Sequence, residues 1–64
     1  MTPEAFRSTQ ERLGLSGIQI GQALGKSEDT IVRYRQTGVP ERESRAIRLA
    51  LAALAYGLPP VPAG

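Results

Sequence analysis

Apolar residues fall into four blocks along this 64-residue chain, each with a helical rather than an alternating spacing. In the first, Phe6 and Leu13 lie seven apart on one face with Thr9 between them, which predicts a helix over residues 3–13. Thr2 can cap it, Pro3 suits the first helical position, and Glu4 sits at the positive end of the helix dipole. Gly14 ends it, and Leu15 can fold back as the apolar contact behind a glycine cap. The second block predicts a helix over about 16–24, capped by Ser16, with Ile18, Gly21, Ala23 and Leu24 as its small and apolar positions and Gln19 and Gln22 outward. The third, over about 27–36, buries Ile31 and Tyr34 and exposes Glu28, Asp29, Thr30, Val32, Arg33, Arg35 and Gln36. Gly38 ends it, and Val39-Pro40 restarts the chain.

The fourth helix, over about 40–56, is charged in its first half (ERESRAIR) and apolar almost all round in its second (LALAALAY). Ile47, Ala50, Leu51 and Leu54 form one stripe that should pack on the preceding helices. Leu49, Ala53 and Tyr56 form another. A helix apolar on every side is normally buried on every side, and a chain this short buries only about 60% of its unfolded surface. The second stripe, extended by Leu58, therefore predicts a dimer interface unless the tail covers it. Gly57 closes the helix. The division expected is a domain over 1–57 and a Pro-rich, extended tail over 58–64.

Between the second and third helices there is room only for Gly25-Lys26-Ser27. So short a turn makes the helices cross steeply and requires one residue at positive φ, which Gly25 supplies without a Cβ clash. Ser27 caps the third helix, with Glu28 and Asp29 in its favoured acidic first turn. Gly17 and Gly21 cost the second helix about 1 kcal/mol each against alanine and let another backbone approach closely. This is a helix-turn-helix arrangement. The run LGLSGIQIGQALGKSEDTIVRYRQTG resembles that of the Cro/C1-type (XRE) regulators at Leu13, Gly14, Leu15, Ser16, Ile20, Leu24, Gly25, Ser27, Thr30, Ile31 and Gly38. Tyr34 stands where that family usually has Trp. Gly17 replaces a phosphate-contacting Gln, Gly21 a packing Ala, and Lys26 an apolar turn residue.

The resemblance implies an all-α, four- to five-helix, lambda-repressor-like domain. It also implies a sequence-specific transcriptional regulator, a repressor acting by promoter occupancy, that binds double-stranded DNA at a palindromic operator as a homodimer. Phage repressors, antitoxins and the short regulators of anti-CRISPR operons share this layout. The third helix would then lie in the major groove. Arg33 can pair with guanine O6 and N7, Glu28 or Asp29 can accept from cytosine N4, and Thr30 or Val32 can touch a thymine methyl. Ser16, Gln19, Arg35, Gln36 and Thr37 would hold the DNA backbone. The plainer reading of the same residues is a solvated surface, with Asp29 and Arg33 paired at i,i+4 and Arg7 and Arg12 as lone surface charges.

Composition narrows the remaining classes. With no Cys and no His, disulfides, thiolate chemistry and nearly all zinc sites are excluded, and a cytoplasmic location is expected. No apolar run is long enough for a bilayer. There is no Gly-rich phosphate loop or metal-ligand cluster, so no enzyme activity, cofactor, metal or small-molecule ligand is expected. The net charge of +2 suits a nucleic-acid binder without demanding one. Few aromatics argue against a stacking platform for RNA. The competing class is a protein-interaction module, an antitoxin or assembly subunit using the second stripe of the fourth helix.

Overall fold

Thr2, Ser16 and Ser27 each turn a hydroxyl onto a backbone N–H three residues on, reaching Ala5 at 3.1 Å, Gln19 at 3.1 Å and Thr30 at 3.2 Å. Each satisfies a donor that a helix start leaves unpaired. These caps open α1 (Pro3–Leu13), α2 (Gly17–Leu24) and α3 (Glu28–Thr37). The longest helix, α4 (Glu41–Ala55), begins behind Pro40 with no side-chain cap. The computed structural model describes residues 1–58 and 61–62, and over these the chain is all-α, with four helices. Pro59, Pro60, Ala63 and Gly64, most of the expected Pro-rich tail, lie outside the described residues. No described helix is long and apolar enough to cross a membrane.

Phe6, Ile20 and Ile31 are wholly buried, and Tyr34, Val39, Ile47 and Leu51 nearly so. Burial of each such side chain contributes about 1.5–3 kcal/mol. The Phe6 and Tyr34 rings meet edge to face, 5.4 Å between centroids at 71°, a favoured aromatic geometry. Helix α3 packs on both α1 and α2, and α4 closes the core against α2 and α1. The expected inner stripe of α4 is the buried one: Ile47 and Leu51 are in the core, and Ala50 and Leu54 lie half-buried at its edge. The second stripe is left mostly outside, with Leu49 63% and Tyr56 84% exposed and Ala53 half-buried. Leu58, expected to extend this stripe, does not cover it. Its N–H closes the helix end on the Ala53 carbonyl at 2.9 Å, while its side chain stays 59% exposed.

One expectation for α2 is corrected. Ile20 and Gly21 form its buried side, whereas Ile18 is 57% exposed and Ala23 is exposed too. At 100° per residue, Ile20, Gly21 and Leu24 share a side and Ile18 lies well round from it. Gly21 is where the chain comes closest. A Cβ there would stand 2.9 Å from the Lys26 carbonyl oxygen and 3.4 Å from Ile31 Cγ1.

After α3 the chain turns at Gly38, with φ at 89°. The next residue pairs with the start of the chain: Val39 N–H donates to the Met1 carbonyl at 2.9 Å, and the Met1 amine donates to the Val39 carbonyl at 3.2 Å. Gly38 lies so tightly under this pairing that a Cβ would fall 2.5 Å from the Met1 oxygen. The positive φ and the contact together demand glycine here.

Candidate nucleic-acid interface

The surface of interest begins at the turn between α2 and α3. Gly25 takes the left-handed conformation, φ 69° and ψ 31°. Its N–H donates to the Gln22 carbonyl at 3.3 Å, and the Lys26 N–H donates to Gly21 at 2.8 Å. These bonds cap the end of α2 within one residue of the next helix cap, and Ser27 opens α3 at once. The Ser27 and Thr30 hydroxyls also share a hydrogen bond at 2.9 Å.

Lys26, the residue that departs from an apolar turn position, has a partner. Its ammonium lies 3.6 Å from Glu43 Oε1, the oxygen that accepts the Tyr34 hydroxyl at 2.8 Å. By type, Glu43 in the charged first half of the fourth helix would face water. It is instead half-buried and joins the turn, α3 and α4. Burial, then the Glu43 carboxylate, push the Tyr34 phenol from its ordinary 10.0 up to about 12. The hydroxyl is thus held as a donor.

Arg35, expected to be exposed and free for a DNA phosphate, is half-buried. Its guanidinium donates to Gln10 Oε1 at 2.6 Å, and its carbonyl accepts from Arg7 Nη1 at 2.6 Å. Gln10, buried in α1, also donates to the Leu15 carbonyl at 3.0 Å. Arg7 and Arg35 therefore bind α1 to α3, a role that a reading of both as surface charges missed. Their long separation in the sequence hid it. Thr30 was also expected to be exposed and is half-buried, its hydroxyl turned back to Ser27.

With Ile31 and Tyr34 inward, α3 presents Asp29, Val32, Arg33 and Gln36 along its outer face, and all four are exposed. Glu28 is exposed at the flank and Thr37 at the far end, where its hydroxyl donates to the Arg33 carbonyl at 2.9 Å. The ion pairs among the described residues are Glu4–Arg7 and Lys26–Glu43, so Asp29 and Arg33 are not bridged to one another. At the start of α2, Ser16 and Gln19 cap each other: Gln19 Oε1 accepts the Ser16 N–H at 2.9 Å. That engages the Gln19 oxygen and leaves its amide nitrogen outward. The N–H groups of Gly17 and Ile18 have no acceptor among the described residues, so this helix start can still receive an anion.

The structure thus brings Glu28, Asp29, Arg33 and Gln36 to one exposed helix, with Ser16 and Gln19 at the neighbouring helix start. It takes Arg35 out of that set. Fixed positive charge on the outer face of α3 comes from Arg33 alone, beside two carboxylates. Such a face favours discrimination over raw attraction. Among the described residues no cluster of carboxylates could hold a metal ion. Compared with family models, curated proteins and solved structures, the chain finds no match.

Proposed function

We propose that this chain is a sequence-specific DNA-binding domain of the Cro/C1 helix-turn-helix type, with a lambda-repressor-like fold. It acts as a small repressor by occupying a promoter. One observation carries the reading. Helix α3 is held by its inner side only, by Ile31, Tyr34 and the Arg35 network, and keeps Asp29, Val32, Arg33 and Gln36 outward behind a Gly25 turn that sets it across α2. A helix so held can enter a major groove of about 12 Å without unfolding any contact. In this reading Arg33, Glu28 and Asp29 read bases, while Ser16, Gln19, Gln36 and the first N–H groups of α2 hold phosphates. Two copies joined through Leu49, Ala53, Tyr56 and Leu58 would span the halves of a palindromic site. The test is selection of a preferred duplex from a random pool, followed by titration at two salt concentrations. Binding to a defined sequence that weakens steeply with salt is expected. Absence of any preferred duplex would refute it.

A second reading, a protein-interaction module, is favoured by the exposure of Leu49 and Tyr56. It predicts self-association or partner capture with no duplex preference.

A further inference from the structure

Between α1 and α4 runs an open groove of about 270 Å³. Its floor is made by Thr9, Leu51, Ala52 and Ala55, and Arg12 on α1 and Arg48 on α4 also line it. Neither arginine has a carboxylate within ion-pair distance or a hydrogen-bond acceptor among the described residues, and both are exposed. The groove adjoins the stripe of Leu49 and Tyr56, since Arg48 and Ala52 also line a cavity with Leu49, and it is a different surface from the outer face of α3. It is smaller than the roughly 300–1,000 Å³ typical of small-molecule sites and is open along its length. Small residues on the floor leave space for the side chains of another helix. Guanidinium groups from two helices meet negative charge arriving along it.

We propose that the α1–α4 groove docks an acidic amphipathic helix of a protein partner, with apolar side chains on Ala52 and Ala55 and carboxylates on Arg12 and Arg48. The charge complement selects the occupant. A second copy of this chain offers no such helix: α1 and α3 each carry two acids and two bases, α2 carries no charge, and α4 has one more base than acid. Residues 58–64 carry no charged side chain. Arg–carboxylate pairs at the edge of an apolar groove speed and orient association and are weakened by salt.

The probe is a synthetic amphipathic helix of about four turns, with leucines at i, i+3, i+4 and i+7 and glutamates elsewhere, paired with a lysine twin of the same apolar stripe. Each is titrated into the isotopically labelled full chain without DNA. The glutamate peptide is expected to shift the amides of Thr9, Arg12, Arg48 and Ala52 while leaving those of α3 in place. The lysine twin is expected to leave the groove unchanged. Arg12→Glu with Arg48→Glu should weaken the glutamate peptide at least about tenfold, with only a small fall in melting temperature from reversing the Arg12 charge in the last turn of α1. Equal binding of both peptides, or full binding by the double variant, overturns the proposal. So does shift of the same amides by duplex DNA or anionic vesicles with none by the glutamate peptide. None of these results depends on whether α3 reads DNA.

Discussion

Tyr34→Phe tests the network that fixes α3 against α4. The substitution keeps the ring against Phe6 and removes only the hydroxyl that donates to Glu43 at 2.8 Å. Loss of a buried hydrogen bond to a charged acceptor costs about 1.5–3 kcal/mol, a large share of the roughly 3–10 kcal/mol expected for a domain of this size. The pH dependence gives a sharper signature. The phenol titrates near 10.0 in the unfolded chain and is pushed up to about 12 in the fold. A raised value means the folded state holds its proton more tightly. The stabilisation is therefore complete below about pH 10 and drains away as pH rises towards 12, by a few kcal/mol, on the order of one per pH unit. Urea unfolding followed by circular dichroism, for wild type and variant from pH 7 to 11.5, measures the difference directly. The gap should be constant to about pH 9.5 and then close or reverse. Lys26 and the other titrating side chains are common to both proteins. A gap that stays constant through pH 11.5 would refute the raised phenol pKa that burial and then Glu43 impose.

The other expectations are of three kinds. Gly38→Ala should cost more stability than Gly25→Ala. Both need positive φ, worth about 1–2 kcal/mol, but only Gly38 also drives a Cβ to 2.5 Å from the Met1 oxygen. Thermal melts that rank them the other way would contradict the Met1–Val39 pairing. Arg33→Ala should leave the melting curve unchanged and weaken the preferred duplex by about 1–3 kcal/mol, relaxing one base position; unchanged affinity for every sequence removes Arg33 from the reading set. Arg35→Ala, in contrast, should lower stability, because it leaves the buried Gln10 oxygen without its donor. Leu49→Lys should convert a dimer into a monomer by sedimentation, with the fold intact, and a monomeric wild type at high concentration would dispose of that interface.

The helix starts were legible because Thr2, Ser16 and Ser27 are local devices: a hydroxyl reaches a backbone N–H within its own turn. The stops at Gly14 and Gly25 are equally local. The inner stripe of α4 and the pair Ile31 and Tyr34 followed from a period of 3.6. What stayed hidden was the polar tertiary structure. Arg7, Gln10, Arg35 and Glu43 look like water-facing residues by type, and only the packing of α1 on α3 and of α3 on α4 brings their partners within reach. Ile18 and Ile20 were hard to rank because α2 is a short helix, and only Gln19 separates its exposed isoleucine from its buried one. The outer face of α3 could be anticipated as a surface, but periodicity says nothing of what touches it.

The way α3 is held has a consequence for how freely its outer face can vary. Every fastening of that helix is on its inner side or at its ends: the Ser27 cap, Ile31, Tyr34 with Glu43, and Arg35 with Gln10. The side chains of Asp29, Val32, Arg33 and Gln36 take no part in any of them. Substitutions at such free surface positions usually alter stability by no more than about 0.5 kcal/mol. The four positions can therefore drift, or be rewritten together from another helix, while the scaffold stays the same. On the proposed DNA-reading role, descendants of this domain could exchange one target for another without passing through an unfolded ancestor.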